Sequence, residues 1–325
     1  MHPPPTRHRI QKSPTRQAQP RVTVIMATYN AMPYLESAVQ SILDQTHADF
    51  KMLIVDDGST DESKSYLDSI TDPRVEVLTQ ANQGQQAASN AALARCQSEY
   101  IARMDADDVA APNRLEKQIE FLDSNPDVGV LGSQFRYLGS LKSGVSSELP
   151  CEHEQIFDDL INNRHSVCNT TTMVRAELFS TVGQFWEHNI SEDWDWFLRA
   201  GEKTKLANLP DALLDVRIHP GSINARRMVE SQLYNEYAAE LCKLRQSGQD
   251  KISFEEFTAN HRTSGWPNSM LFRLDCYAIG QYRSAVANIL SGQKTLGFAR
   301  LAWSMACSPA RTLRRIGRVI NYRAR

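Results

Sequence analysis

From Val22 to Ala110 the chain repeats one pattern: a short apolar run, a polar cluster, then a helix-patterned segment. Val22-Thr23-Val24-Ile25-Met26-Ala27 is nearly apolar throughout, so it reads as a strand buried on both faces. It stops at Thr28-Tyr29-Asn30, and Pro33 opens a helix to about Gln45 with Leu35, Ala38, Val39 and Ile42 along one face. Met52-Leu53-Ile54-Val55 is a second strand ending at Asp56-Asp57-Gly58-Ser59. Ser59 to Asp61 then supply caps for a helix carrying Tyr66, Leu67 and Ile70. Val75-Glu76-Val77-Leu78 is a third strand, and Asn82-Gln83-Gly84 turns into an Ala-rich helix from about Gln85 to Cys96. Tyr100-Ile101-Ala102 is the fourth. This alternation predicts βαβ units: an α/β fold with a mostly parallel central sheet and helices on both faces.

Ligands of such sheets gather beyond the carboxyl ends of the strands. Thr28-Tyr29-Asn30 and Asp56-Asp57-Gly58-Ser59 fall there, and so does Asp105-Ala106-Asp107-Asp108 after the fourth strand. Carboxylates this crowded repel one another unless a cation sits among them. Oxygen-only ligands suit a hard divalent ion, Mg²⁺ or Mn²⁺, which also binds substrate phosphates. Taken alone, such a run is an ordinary solvated turn; its convergence with two other polar clusters on one edge favours a site.

Further on, Pro112 opens a helix with Leu115, Ile119 and Leu122, and Val128-Gly129-Val130-Leu131-Gly132 is a strand. Residues 139–155 read as a polar loop where a substrate-facing insertion could sit, and Thr170-Thr171-Thr172-Met173-Val174 as another strand. Ser191 ahead of Glu192 and Asp193 is a good helix start, and aims a first-turn carboxylate at whatever the helix faces. Phe197 and Leu198 point to the core; Trp194 and Trp196 leave the helix on different sides, so at least one belongs to the core. Leu206 to Val216 resembles a strand pair broken at Pro210-Asp211, leading to Arg217-Ile218-His219-Pro220-Gly221-Ser222. From about Arg226 the pattern is helical. The predicted organisation is a disordered basic arm (1–20), a main domain (21–225) and a helical C-terminal extension with a basic tail (226–325).

The net charge of −2 conceals an asymmetry. Residues 1–20 hold 4 basic residues and 276–325 hold 9, with no acid in either, so 21–275 carries 23 basic against 38 acidic side chains, a net of −15. A nucleic-acid-binding core is thereby disfavoured, whereas a cationic tail suits an anionic membrane surface. Ala310 to Arg325 sets Leu313, Ile316, Val319 and Ile320 among 6 arginines, as an interfacial helix would, or as a terminal helix packed on the body would. No stretch reaches the roughly 18–20 apolar residues of a membrane span, and no apolar signal core is present. Six scattered cysteines without zinc spacing read as reduced thiols. The expected location is cytoplasmic, peripheral on the inner face of the cytoplasmic membrane.

The motifs, in order, resemble the inverting family 2 of nucleotide-sugar glycosyltransferases, whose fold is called GT-A. They are Val24-Ile25-Met26-Ala27-Thr28-Tyr29-Asn30, Ser41-Ile42-Leu43-Asp44-Gln45-Thr46, Val55-Asp56-Asp57-Gly58-Ser59-Thr60-Asp61, the Asn82-x-Gly84 turn with Asn90, Asp105-Ala106-Asp107-Asp108, Glu192-Asp193, and His219-Pro220-Gly221-Ser222. Together they cover about Val22 to Asn224.

The resemblance implies a nucleotide-sugar donor, a UDP-sugar above others, and a glycan or lipid-linked acceptor. It implies that Thr28, Tyr29 and Asn30 line the nucleotide pocket with Gly84 and Asn90, that Asp57 accepts the pyrimidine N–H, and that Asp105 lies near the ribose and sugar. Asp107 and Asp108 would hold Mn²⁺ or Mg²⁺ across the diphosphate, although which acid touches the metal varies within the fold. His219 would approach the diphosphate or metal; alone it would be a histidine in a Pro-Gly turn. Asp193 matches the general base that activates the acceptor hydroxyl, with Glu192 beside it to orient the helix or touch the acceptor. Two departures stand out: Ser89 where the family often has Arg, and Gln184-Phe185-Trp186 where it often has Phe-Asp or Phe-Glu. A sugar nucleotidyltransferase shares the fold class but would carry a Gly-rich N-terminal loop with Arg and Lys, which Ala27-Thr28-Tyr29-Asn30 lacks. Intact Asp107 and Asp193 weigh against a catalytically inactive scaffold.

Overall fold

Strands β1 (Val22–Thr28), β2 (Phe50–Asp56), β3 (Val75–Thr79) and β4 (Tyr100–Asp105) pair in parallel, with Val22 opposite both Phe50 and Tyr100, and Thr28 opposite Asp56. This is a computed structural model, and it describes residues 19–138, 146–185, 191–217, 228–263, 274, 277–282, 284–286, 288–289 and 292–309. Most of the predicted arm, residues 139–145, Trp186, His219-Pro220-Gly221-Ser222 and the 310–325 tail lie outside the described residues.

Four further strands are β5 (Val109–Ala110), β6 (Val128–Leu138), β7 (Met173–Arg175) and β8 (Lys205–Arg217). Together the described strands make one sheet in the order β3-β2-β1-β4-β7-β6-β8-β5. β7 opposes its neighbours β4 and β6, and β5 opposes β8; the other pairs are parallel.

Helices cover both faces. One core joins Val22, Val24, Met26, Met52 and Ile54 to α1 (Leu35–Leu43) and α4 (Arg114–Ser124), through Leu35, Ala38, Val39, Ile42, Leu115, Ile119 and Leu122. The helix α2 (Ser63–Ser69) adds Leu67 to it. The opposite core joins Ile25, Leu53, Val55 and Ile101 to α3 (Gln85–Leu93), α5 (His153–Ile161), the short α6 (Leu178–Thr181) and α7 (Glu192–Gly201). Alternate side chains of each parallel strand thus serve opposite layers, which is why these strands read as unbroken apolar runs. Ala238, Ala239 and Cys242 of α8 (Met228–Gln246) enter the second core, while Tyr237, Leu241 and Phe257 form a smaller cluster with α9 (Phe254–Thr263). The last described helix is α10 (Lys294–Cys307).

Three elements differ from their sequence patterns. The Leu206–Val216 segment is one continuous strand: Ser133 pairs with Leu209 and Gln134 with Ala212, so Pro210 and Asp211 are bulged out of the ladder. A proline has no N–H to give a ladder, and the bulge removes the need for one. The Thr170–Val174 segment begins as a 3-10 turn, Asn169–Thr171, because the Thr171 and Thr172 hydroxyls donate back to the Cys168 and Asn169 carbonyls at 2.7 Å. The presumed loop 139–155 already contains the start of α5 at His153, whose Ile156 and Leu160 are buried.

Candidate active site

Three loops meet at the carboxyl edge of β1, β2 and β4. After β1, Thr28 is buried and its hydroxyl has no partner among the described residues, whereas Tyr29 is 49% exposed. Asn30 takes a left-handed conformation (φ 49°), which Asn tolerates better than most residues. Its side-chain oxygen accepts from the amides of Thr60 (2.7 Å) and Asp61 (3.3 Å), stitching this loop to the one after β2. There Asp56 Oδ1 accepts the Ser59 amide at 3.0 Å, while its buried Oδ2 has no partner among the described residues. Asp57 is 3% exposed and engaged three times, by the Gln83 amide (2.9 Å), the Gly84 amide (2.7 Å) and Gln80 Nε2 (2.7 Å). Gly84 sits at φ 97°, a backbone setting that favours glycine, and starts α3.

After β4, Asp105, Asp107 and Asp108 each offer an oxygen, and these atoms lie within 4.8 Å of one another. Asp105 is pushed up to about 6, first by burial and then by the charge of Asp107. Asp108, 2% exposed, is raised well above the usual carboxylate range by burial and both neighbours. Its Oδ1 accepts the Arg217 amide at 2.9 Å, and Arg217 Nε donates to the Asp107 carbonyl at 2.9 Å, so the end of β8 pins the acidic loop. Thr170 Oγ1 accepts the Asp105 amide at 3.0 Å. An all-oxygen donor set with raised acids fits a hard divalent ion, whose charge would relieve the repulsion.

Asp193 lies in the first turn of α7, where its own amide and that of Trp194 bond its carboxylate. Burial raises its pKa, and Arg103 and these amides oppose the rise; its charge is felt at Asp105. The predicted serine cap is absent. Ser191 is left-handed (φ 54°, ψ 28°), and its hydroxyl bonds Ser231 Oγ of α8 at 2.7 Å instead of an amide of α7. Glu192 begins the helix, and its side chain lies outside the described residues. Both tryptophans are core: Trp194 Nε1 donates to the Leu160 carbonyl (3.1 Å) and Trp196 Nε1 to that of Gly183 (2.9 Å). Ser89, at one of the departures, is buried and donates to the Gln85 carbonyl at 2.8 Å; Asn90 Nδ2 donates to the Phe185 carbonyl at 3.3 Å.

Sequence reasoning passed over Arg103, Arg114, Thr170 and Arg217. Arg114 is fully buried under the acidic loop, donating to the Arg103 carbonyl (2.7 Å) and to Gln118 Oε1 (3.1 Å), while Gln118 Nε2 holds the Thr171 carbonyl at 2.8 Å. An arginine inside the apolar run Tyr100-Ile101-Ala102-Arg103-Met104, and another on the inward stripe of α4, were the available signals.

A family model described as glycosyl transferase family 2 matches residues 23–183. The amylovoran biosynthesis glycosyltransferase AmsE of Erwinia amylovora is 30% identical over 213 residues, 63% of this chain and 79% of that protein. The chain belongs to glycosyl transferase family 2. An uncharacterized glycosyltransferase of Haemophilus influenzae is 28% identical over 214 residues, 62% of this chain. The match spans 66% of that relative's length, and 35% and 42% of two other family relatives. Among solved structures, TarS 1-349 of S. aureus in complex with UDP-GlcNAc aligns with a TM-score of 0.60 at 17% identity, over 88% of this chain and 89% of that one. The mannosyltransferase PcManGT of Pyrobaculum calidifontis, in complex with GDP-Man and Mn2+, aligns with a TM-score of 0.53 at 19% identity, over 95% and 83%. These likenesses establish the GT-A fold for this family member. No described helix is long and apolar enough to cross a membrane.

Proposed function

We propose that this family 2 member transfers a sugar from a nucleoside diphosphate donor, a UDP-sugar, to a hydroxyl of a glycan or lipid-linked acceptor, by single displacement with inversion. The observation that carries the reading is the cluster of Asp105, Asp107 and Asp108 at the carboxyl edge of the sheet, with Asp193 near enough for its charge to act on Asp105. Breaking the anomeric C–O bond leaves negative charge on the diphosphate, and making the new bond requires a base for the acceptor hydroxyl. Asp107 and Asp108, with Asp105, would hold Mn²⁺ or Mg²⁺; that ion supplies charge stabilisation to the leaving diphosphate. Asp193 takes the acceptor's proton. Burial raises its pKa, which makes it a stronger base than an exposed aspartate, while the Arg103 charge and the helix amides oppose that rise. One base and no second catalytic carboxylate fit a single displacement, and the inversion is what the resemblance to the inverting family implies.

Thr28, Tyr29, Asn30, Asp57, Gly84, Asn90 and Asp105 would line the nucleotide side, and His219, which lies outside the described residues, would approach the diphosphate or metal as the family resemblance implies. The match to AmsE supports a setting in cell-surface polysaccharide synthesis. The acid-free, basic 276–325 segment supports a peripheral position on an anionic membrane.

Calorimetric titration with UDP tests the metal clamp. Wild-type protein is expected to bind UDP with Mn²⁺ and far more weakly with EDTA, and Asp107→Ala to lose the metal-dependent part. Equal binding by Asp107→Ala overturns the assignment.

A further inference from the structure

Arg103 is an unusual cation. It sits in β4 two residues before Asp105, so both side chains lie on the same face of the sheet. It is 5% exposed, yet among the described residues its guanidinium has no hydrogen bond and no ion pair, and Nε is sealed from solvent without a partner. Its surroundings are the Phe185 ring, whose centroid is 5.1 Å from Cζ, and the charges of Asp105 and Asp193, on which it acts from beyond ion-pair distance. The nearby Asn90 amide is anchored to the Phe185 carbonyl and leaves its Oδ1 buried and unpartnered.

The contrast with Arg114 is informative. Arg114 is also buried, but it donates to two carbonyls and a glutamine, as a structural guanidinium does. A guanidinium carries five N–H donors, and leaving them unused inside a protein is costly unless something arrives to take them. Packing alone does not require an arginine at 103: a methionine would fill similar volume without the charge.

We propose that Arg103 is the oxyanion receptor of the donor site, taking a pair of anionic oxygens of the substrate in bidentate fashion. Planar oxygen pairs match the guanidinium fork, and the neighbouring Asp105 and Asp193 reject any anion that does not present its oxygens to Arg103. Two donor groups share this chemistry: the diphosphate, and a carboxylate on the transferred sugar. The proposal rests on the nucleotide-sugar reading for its ligand, but not for its first test.

That test compares wild type with Arg103→Met and Arg103→Lys. The ligand-free Arg103→Met protein is expected to stay folded, with a melting temperature within a few degrees of wild type, since removing the unpaired guanidinium is offset by the loss of its charge beside Asp105 and Asp193. Affinities are then measured for inorganic pyrophosphate, UDP, uridine, UDP-glucose and UDP-glucuronate, each with Mn²⁺. If the diphosphate is the partner, Arg103→Met weakens UDP and pyrophosphate at least tenfold, leaves uridine unchanged, and Arg103→Lys recovers part of the loss. If a sugar carboxylate is the partner, UDP and UDP-glucose bind as before and only the preference for UDP-glucuronate disappears. Unchanged affinity for all five probes overturns the proposal, as does a clear fall in the ligand-free melting temperature without a change in binding. Failure of wild type to bind any nucleotide breaks the donor reading instead, and the pyrophosphate comparison then decides on Arg103 alone.

Discussion

The Asp56-Asp57 loop after β2 and the 105–108 loop after β4 flank β1 on one sheet edge, and the chain treats their carboxylates differently. Asp57 receives three donors from the chain itself, all at 2.9 Å or less. The later acids crowd within 4.8 Å, and Asp105 and Asp108 are driven toward the neutral form by burial and by neighbouring carboxylates, Asp107 among them in both cases. A satisfied carboxylate builds the loop it sits in; a frustrated one needs something from outside. The difference is the one expected if the second loop has the proposed role of receiving a cation and the diphosphate.

The largest effect is expected at Asp193, the proposed base. Asp193→Asn keeps the shape and removes the base, so transfer should fall by about 10²–10⁴-fold. UDP affinity should stay within about twofold, because the carboxylate is not part of the clamp. Turnover near wild type would break the assignment of Asp193, and a parallel loss of UDP binding would move it into the donor site.

Asp57→Ala tests the architectural loop. It strips the acceptor from two backbone amides and from Gln80, so stability should drop by roughly 2–4 kcal/mol. Denaturant unfolding, with faster amide exchange at Gln83 and Gly84, reads this directly. An unchanged unfolding midpoint would mean that Asp57 is as available as the 105–108 acids, and the comparison between the loops would collapse.

Asp105→Asn should act in the opposite direction. The folded pKa of Asp105, about 6, lies above its value in an unfolded chain. The folded state therefore binds more protons between those values, and metal-free stability falls as pH rises through this window. Asparagine carries no such penalty. The variant should melt at or above wild type at pH 7, by about a few degrees, with the gap closing toward pH 4. Added Mn²⁺ should raise the melting temperature of wild type and narrow the gap. A variant less stable than wild type at pH 7 without metal would show that the acids are paired, not frustrated.

How much of this could be read from residues alone follows from the same distinction. The parallel half was legible because buried strands and amphipathic helices leave periodic signatures, as in Val22–Ala27 and Leu35–Ile42. The family motifs located Asp57, Asp105, Asp107 and Asp193, but their order along the chain carries no information on which carboxylate is already satisfied. That depends on Gln80, Gln83 and Gly84 in one case and on Arg217 and Thr170 in the other, contacts made across the fold. The Ser191 cap was missed for a related reason: a serine before two acids looks like a helix start, yet its hydroxyl is drawn 40 residues away to Ser231. Pro210 misled because a break in a strand pattern and a bulge within one look identical until the partner strand is known.

The smallest effect is expected at the far end of the molecule, where α10 combines a docked face and an outward one. Gly297 lets α10 approach the preceding segment closely, since a Cβ there would meet Ile289 Cγ1 at 2.4 Å, and Ser304 Oγ donates to the Ala278 carbonyl at 2.8 Å. On the outward half Leu296, Phe298 and Trp303 are 46%, 59% and 55% exposed, in a segment with 9 basic residues and no acid. Exposed aromatics beside unopposed positive charge suit the interface of an anionic bilayer, where each basic side chain contributes about 1 kcal/mol and each ring adds apolar burial. Truncation after Ser308 should therefore reduce sedimentation with phosphatidylglycerol vesicles several-fold, and Phe298→Ala with Trp303→Ala by less. Raising the salt should weaken the wild type more than the truncated chain, because only the former carries the 6 arginines of residues 310–325. Sedimentation that ignores truncation and salt alike would mean that the basic tail packs on the body.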